Sequence, residues 1–73
     1  MRITYDRSAD AAYIHLVHVN AGEVVRTHPC DPAEINGMIN LDFNEANQLI
    51  GVEIQGACKR LPSTLLESAE IIG

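Results

Sequence analysis

Two runs of alternating apolar and polar residues, Met38 to Phe43 and Gln48 to Gln55, flank the segment Asn44-Glu45-Ala46-Asn47. Successive side chains of a strand point to opposite faces, so this alternation marks two half-buried strands. The asparagines between them are turn residues, because Asn tolerates a positive φ. A β-hairpin here constrains the chain most, and the remaining segments must complete its sheet. Arg2 to Tyr5 reads as a strand, followed by a polar turn from Asp6 to Asp10. Ala12 to Val19 and Glu23 to Thr27 read as two more, separated by Asn20-Ala21-Gly22. Pro29 and Pro32 exclude a central strand from His28 to Gly37. Within that stretch Asp31-Pro32-Ala33-Glu34 has the order of a short helical turn, with Asp as N-cap and Gly37 to end it; a plain loop is the alternative. Pro62 to Ile72 reads as a helix with a capping box at Thr64 and Glu67 and an apolar stripe of Leu65, Leu66, Ala69 and Ile72. The expected fold is α+β, a single domain over residues 1–73: an antiparallel β-meander of about five strands with one C-terminal helix packed on one face.

At 73 residues such a domain buries only roughly 60% of the surface its unfolded chain exposes, so a partner subunit would help to stabilise it. Apolar residues make up 47% of the chain, a globular fraction. The net charge of −5 argues against nucleic acid as a partner, because releasing counterions from phosphates takes clustered Lys and Arg. The absence of a long apolar run or a signal-like start argues against a membrane or secretory role. Cys30 and Cys58 match no metal or redox spacing and read as reduced thiols of a cytoplasmic protein.

Alternation puts Ile3, Tyr5, Ile14, Leu16, Ile39, Leu41, Phe43, Ile50, Val52 and Ile54 on one face, the core. The other face takes Thr4, Tyr13, His15, Val17, Val19, Asn40, Asp42, Leu49, Glu53 and Gln55. One helix cannot cover both, so Tyr13, His15, Val17, Asp42 and Glu53 are the candidate binding or interface residues, on a face suited to a homo-oligomer, most simply a dimer. A four-residue loop makes Phe43 face Gln48, Asp42 face Leu49 and Met38 face Glu53. Asp42 and Glu53 then stand about 13 Å apart at roughly 3.4 Å per residue, too far for a shared catalytic or metal site. His15 and His18 point to opposite faces and cannot chelate one ion. His28, Cys30 and Asp31 are close in sequence but lack further ligands. His15 beside Tyr13 has the pKa range of a general base, although a structural histidine explains it more simply. Ser8, Ser63 and Ser68 have no nucleophile context, and Gly51 inside a strand marks a bulge or a close backbone approach. No catalytic residue, metal or cofactor is expected, and the sequence leans away from an enzyme.

Ile3-Thr4-Tyr5-Asp6, Ala9-Asp10-Ala11-Ala12-Tyr13-Ile14, Leu41-Asp42-Phe43, Leu49-Ile50-Gly51-Val52-Glu53-Ile54, then Ala57 and Leu61-Pro62 together resemble the small prokaryotic family called domain of unknown function 2283. Asn47 stands where that family's turn usually has Gly. The resemblance implies a bacterial or archaeal cytoplasmic protein with a meander and a C-terminal helix, and it implies no activity. It makes a protein partner conceivable. Two functions follow as expectations: a non-enzymatic homo-oligomeric interaction module, or a small-molecule or metal-binding module with its site at a subunit interface.

Overall fold

A computed structural model describes all of residues 1–73. Its elements are β1 (Arg2–Asp6), β2 (Ala11–His15), β3 (Arg26–Pro29), α1 (Pro32–Ile35), β4 (Ile39–Phe43), β5 (Leu49–Gln55), α2 (Ala57–Arg60), α3 (Ser63–Glu67) and β6 (Glu70–Ile71). The six strands form one sheet in the order β3-β4-β5-β2-β1-β6. All neighbours are antiparallel except β1 and β6, which run parallel. The α+β class stands, but the sheet is mixed and six-stranded with three short helices, not a five-stranded antiparallel meander under one helix.

The strand order follows from composition. β5 is the longest strand at seven residues and takes a central position between β4 and β2. β3 carries a proline and is exposed throughout, which suits only an edge. The second strand ends at His15 rather than Val19, and the third begins at Arg26 rather than Glu23. Between them Glu23 ties the loop to itself by accepting from the Asn20 backbone and side-chain amides at 3.0 and 2.6 Å.

The helix expected over 62–72 stops at Glu67. Pro62 occupies the N-cap with no side-chain cap, so the Thr64–Glu67 capping box does not form. The Ser68 hydroxyl donates to the Leu65 carbonyl at 3.0 Å, a local bond that competes with helix continuation. Beyond it the open edge of β1 offers better partners. β6 pairs with Thr4 and Tyr5, and the Ile72 N–H donates to the Tyr5 carbonyl at 3.0 Å. An isolated short helix is marginal in water, so this competition favours the strand. The turn at Pro32 does form, capped by Asp31, but Asn36 with φ 52 ends it, not Gly37.

The core is thin. Its buried apolar residues are Ala12, Ile50, Ile54 and Ala57, and Tyr5, Ile14, Ile39, Val52, Leu61 and Leu66 pack around the Ala12–Ile54–Ala57 cluster. Ala57 is wholly buried, so α2 lies close against the sheet because these contacts are alanines. Asp10 fastens it there. With φ 50, Asp10 turns its carboxylate onto the first turn of α2, accepting from the Cys58 N–H at 3.0 Å and the Cys58 thiol at 3.1 Å. It also accepts from the Tyr5 hydroxyl at 2.7 Å. α2 has no side-chain cap of its own, and Asp10 supplies one from across the chain. The Tyr5, Asp10, Ala12 and Ala57 of the family-like motif thus form a single structural lock.

Candidate functional site

The other sheet face carries the candidate residues. Gly51 on β5 sits between His15 on β2 and Asp42 on β4, while Glu53 sits between Tyr13 and Asn40. The Tyr13 side chain lies diagonally across Gly51, where an added Cβ would run into its hydroxyl and ring. Its hydroxyl reaches across β5 to donate to Asp42 Oδ2 at 2.6 Å. On β3, Thr27 donates to Asp42 Oδ1 at 2.7 Å. Asn40 donates to Glu53 Oε1 at 2.9 Å. The His15 ring meets the Tyr13 ring edge-on, centroids 4.6 Å apart, and its Nε2 is 3.4 Å from the hydroxyl of Thr4. A linked polar strip therefore runs over five strands from Thr27 to Thr4.

The expected spacing of Asp42 and Glu53 is corrected by two one-residue shifts. Asn44, not Phe43, faces Gln48: the Asn44 N–H donates to the Gln48 carbonyl and the Gln48 N–H to the Asn44 side chain. That leaves a three-residue loop with Asn47 at φ 61, in the left-handed region that Asn tolerates. A bulge then adds a second shift, so Phe43 faces Leu49 and Asp42 faces Gly51. The two carboxylate residues are diagonal neighbours, about 7–8 Å apart. Tyr13 and Thr27 donate to the two oxygens of Asp42, while Asn40 donates to Glu53. Gly51 lies next to the bulge, and what approaches it closely is the Tyr13 side chain rather than backbone.

His15 and His18 also depart from expectation. Alternation is lost where β2 ends, and both histidines line one 160 Å³ cavity with Met1, Arg2 and Val17. No group of three or more His, Cys, Asp and Glu side chains is arranged to hold a metal ion. Val17 is exposed at this cavity, and Leu49 and Ile72 are exposed elsewhere on the chain. Sequence reasoning missed Thr27, whose role depends on β3 pairing with β4. It also missed the position of Ile72, which depends on β6; the only signal for either was an apolar or hydroxyl residue beside a strand-like run.

Burial is the main cause of the raised pKa of Tyr13, and the hydrogen bond and charge of Asp42 and the charge of Glu53 add to it. Tyr5 is raised first by its hydrogen bond to Asp10. His15 is lowered by burial and by the charge of Arg2; His18 adds to this and Glu70 opposes it. The strip is thus made of a protonated phenol, an engaged carboxylate and a neutral imidazole. It offers rigidity and an ordered hydrogen-bonding shape.

For both tyrosines the folded state favours the protonated form. Their stabilisation is complete below the unfolded value of about 10 and is lost as pH rises through the folded value. Ultraviolet titration should show neither phenol ionising freely at pH 10, with ionisation arriving together with unfolding. A phenol that titrates near 10 with the fold intact would contradict the bonds to Asp42 and Asp10.

A family model described as a protein of unknown function (DUF2283) matches residues 2–57. No curated protein and no solved structure matches the chain. The matched stretch contains the whole strip from Thr4 to Glu53 and closes at Ala57.

Proposed function

Because the chain belongs to that family of unknown function, DUF2283, it inherits no activity, and we propose that it is a non-enzymatic interaction module that pairs with a second copy of itself through the open sheet face. The thin core carries the reading. No large side chain is fully buried, and the accessible surface is 4791 Å², against about 4450 Å² typical for a chain of 8.0 kDa. The molecule is a slab of 33 × 29 × 19 Å. Its broad face offers at most about 960 Å² (33 × 29), enough for the roughly 800 Å² per partner of a standard interface. Val17 supplies exposed apolar contact beside the ordered polar strip.

Pairing through the edge of β3 is disfavoured. The Cys30 N–H donates inward to the Ile39 carbonyl. By alternation residue 29 turns outward, and Pro29 has no N–H to offer. The thiol of Cys58 serves as a donor to Asp10, which requires it reduced and fits a reducing cytoplasm. No helix is long and apolar enough to cross a membrane.

Sedimentation velocity at tens of micromolar should give a dimer of about 16 kDa, twice the 8.0 kDa chain. Val17→Lys should return it to the monomer with its circular dichroism unchanged. A monomeric native chain, or a dimer indifferent to this substitution, would dispose of the proposal.

A further inference from the structure

At the β6 end of the open face lies a 360 Å³ cavity lined by Arg2, Thr4, Tyr13, His15, Val19 and Ile72. Its lining has two characters. Val19, Ile72 and the Tyr13 ring give an apolar wall. The Thr4 hydroxyl, on a residue only 4% exposed, and the His15 imidazole form a polar floor. Arg2 stands at the mouth with Nε bonded to Glu70 at 2.8 Å, and its remaining guanidinium donors have no protein hydrogen-bond partner. A few convergent polar groups in a mainly apolar recess are the usual make-up of a small-molecule site.

The free donors of Arg2 identify the ligand. Arg2 is one of only five Lys and Arg in the chain, and it lines both this cavity and the one that adjoins it, with the neutral His15 beside it. Glu70 is the acid that faces them, and it is already engaged by Arg2. An Arg fork with free donors is the group best matched to a carboxylate.

We propose that the cavity binds a small organic anion with an apolar tail, a short-chain monocarboxylate, its carboxylate on Arg2 and the polar floor and its tail against Val19 and Ile72. The site is complete within one chain and does not rest on pairing, although a second copy over the face would deepen it. Bound anion at Arg2 also offsets the positive charge beside His15, so binding draws a proton toward the imidazole.

The test is an amide-resolved NMR titration of the intact chain with hexanoate, set against hexanamide and inorganic phosphate, with sedimentation run on the same samples. Hexanoate should give saturable shifts at Arg2, Thr4, His15 and Ile72 and raise the apparent pKa of His15. The two controls should bind roughly tenfold more weakly or worse. Arg2→Gln should weaken hexanoate by a similar factor, and Glu70→Gln, which frees Arg2, should tighten it a few-fold. Equal binding of hexanamide would make the site merely apolar, and equal binding of phosphate would make it merely cationic; either overturns the proposal. So does an absence of saturable shifts up to roughly 10 mM, or a Glu70→Gln variant that folds but binds more weakly. A monomer that binds hexanoate refutes pairing and supports this site; a dimer that does not bind it does the reverse.

Discussion

Ile54→Ala is expected to leave the chain largely unfolded at 37 °C. Ile54 is 3% exposed and faces Ala12 on β2 and Ile39 on β4, with Ala57 completing the cluster. Truncating a buried isoleucine to alanine costs about 2–5 kcal/mol, the upper part of the range applying where neighbours cannot collapse into the void. Here the neighbours are held on a hydrogen-bonded sheet and on a helix fastened by Asp10, so collapse is limited. A chain of 73 residues has a total stability of about 4–11 kcal/mol, and so thin a core places this one low. Urea denaturation should show the loss, repeated at two protein concentrations because self-association adds stability by mass action. Leu49→Ala, on the exposed rim, should cost less than about 0.5 kcal/mol in the dissociated chain. Comparable losses for the two would mean that the core does not lie where the cluster puts it.

Features set by short-range patterning were legible in the sequence. The 38–55 hairpin, the faces of β4 and of β5 from Ile50 onward, the polar turn before β2 and the Asp31 cap all depend on neighbouring residues. Placing Tyr13, His15, Asp42 and Glu53 on the uncovered face also needed only alternation. The rest depends on partners distant in the chain. The open edge of β1 draws residues 70–71 out of the expected helix, and nothing within 62–72 announces that edge. The bulge at Ile50 moves Asp42 by one pair, and with it the contact to Tyr13. Asp10 reads locally as a turn residue, and its second role exists only once α2 lies beside it. Strand order was equally hidden: β5 enters beside β2 because β3, with its proline, is fit only for the edge.

Gly51→Ala should dismantle the polar strip from its centre. Gly51 is buried and its φ is not in the left-handed region, so alanine meets no backbone obstacle. The obstacle is Tyr13, whose Cε1 would lie 2.7 Å from the new Cβ, with the hydroxyl closer still. The ring must leave, and its bond to Asp42 leaves with it. Overpacking of this kind costs about 1–3 kcal/mol, and losing a hydrogen bond to a carboxylate adds about 1.5–3 kcal/mol. Two measurements separate this account from general damage. The Tyr13 phenol, freed from burial and from Asp42, should titrate close to an ordinary tyrosine in the folded variant. In a Tyr13→Ala background the glycine substitution should cost at least about 1 kcal/mol less than in the native chain, since contacting residues couple and distant ones add. Additive costs, or a Gly51→Ala protein with Tyr13 still bonded to Asp42, would show that the close approach at Gly51 does not hold the strip. If pairing does use this face, the same variant should also be monomeric, because the displaced ring would stand where the second copy must lie flat.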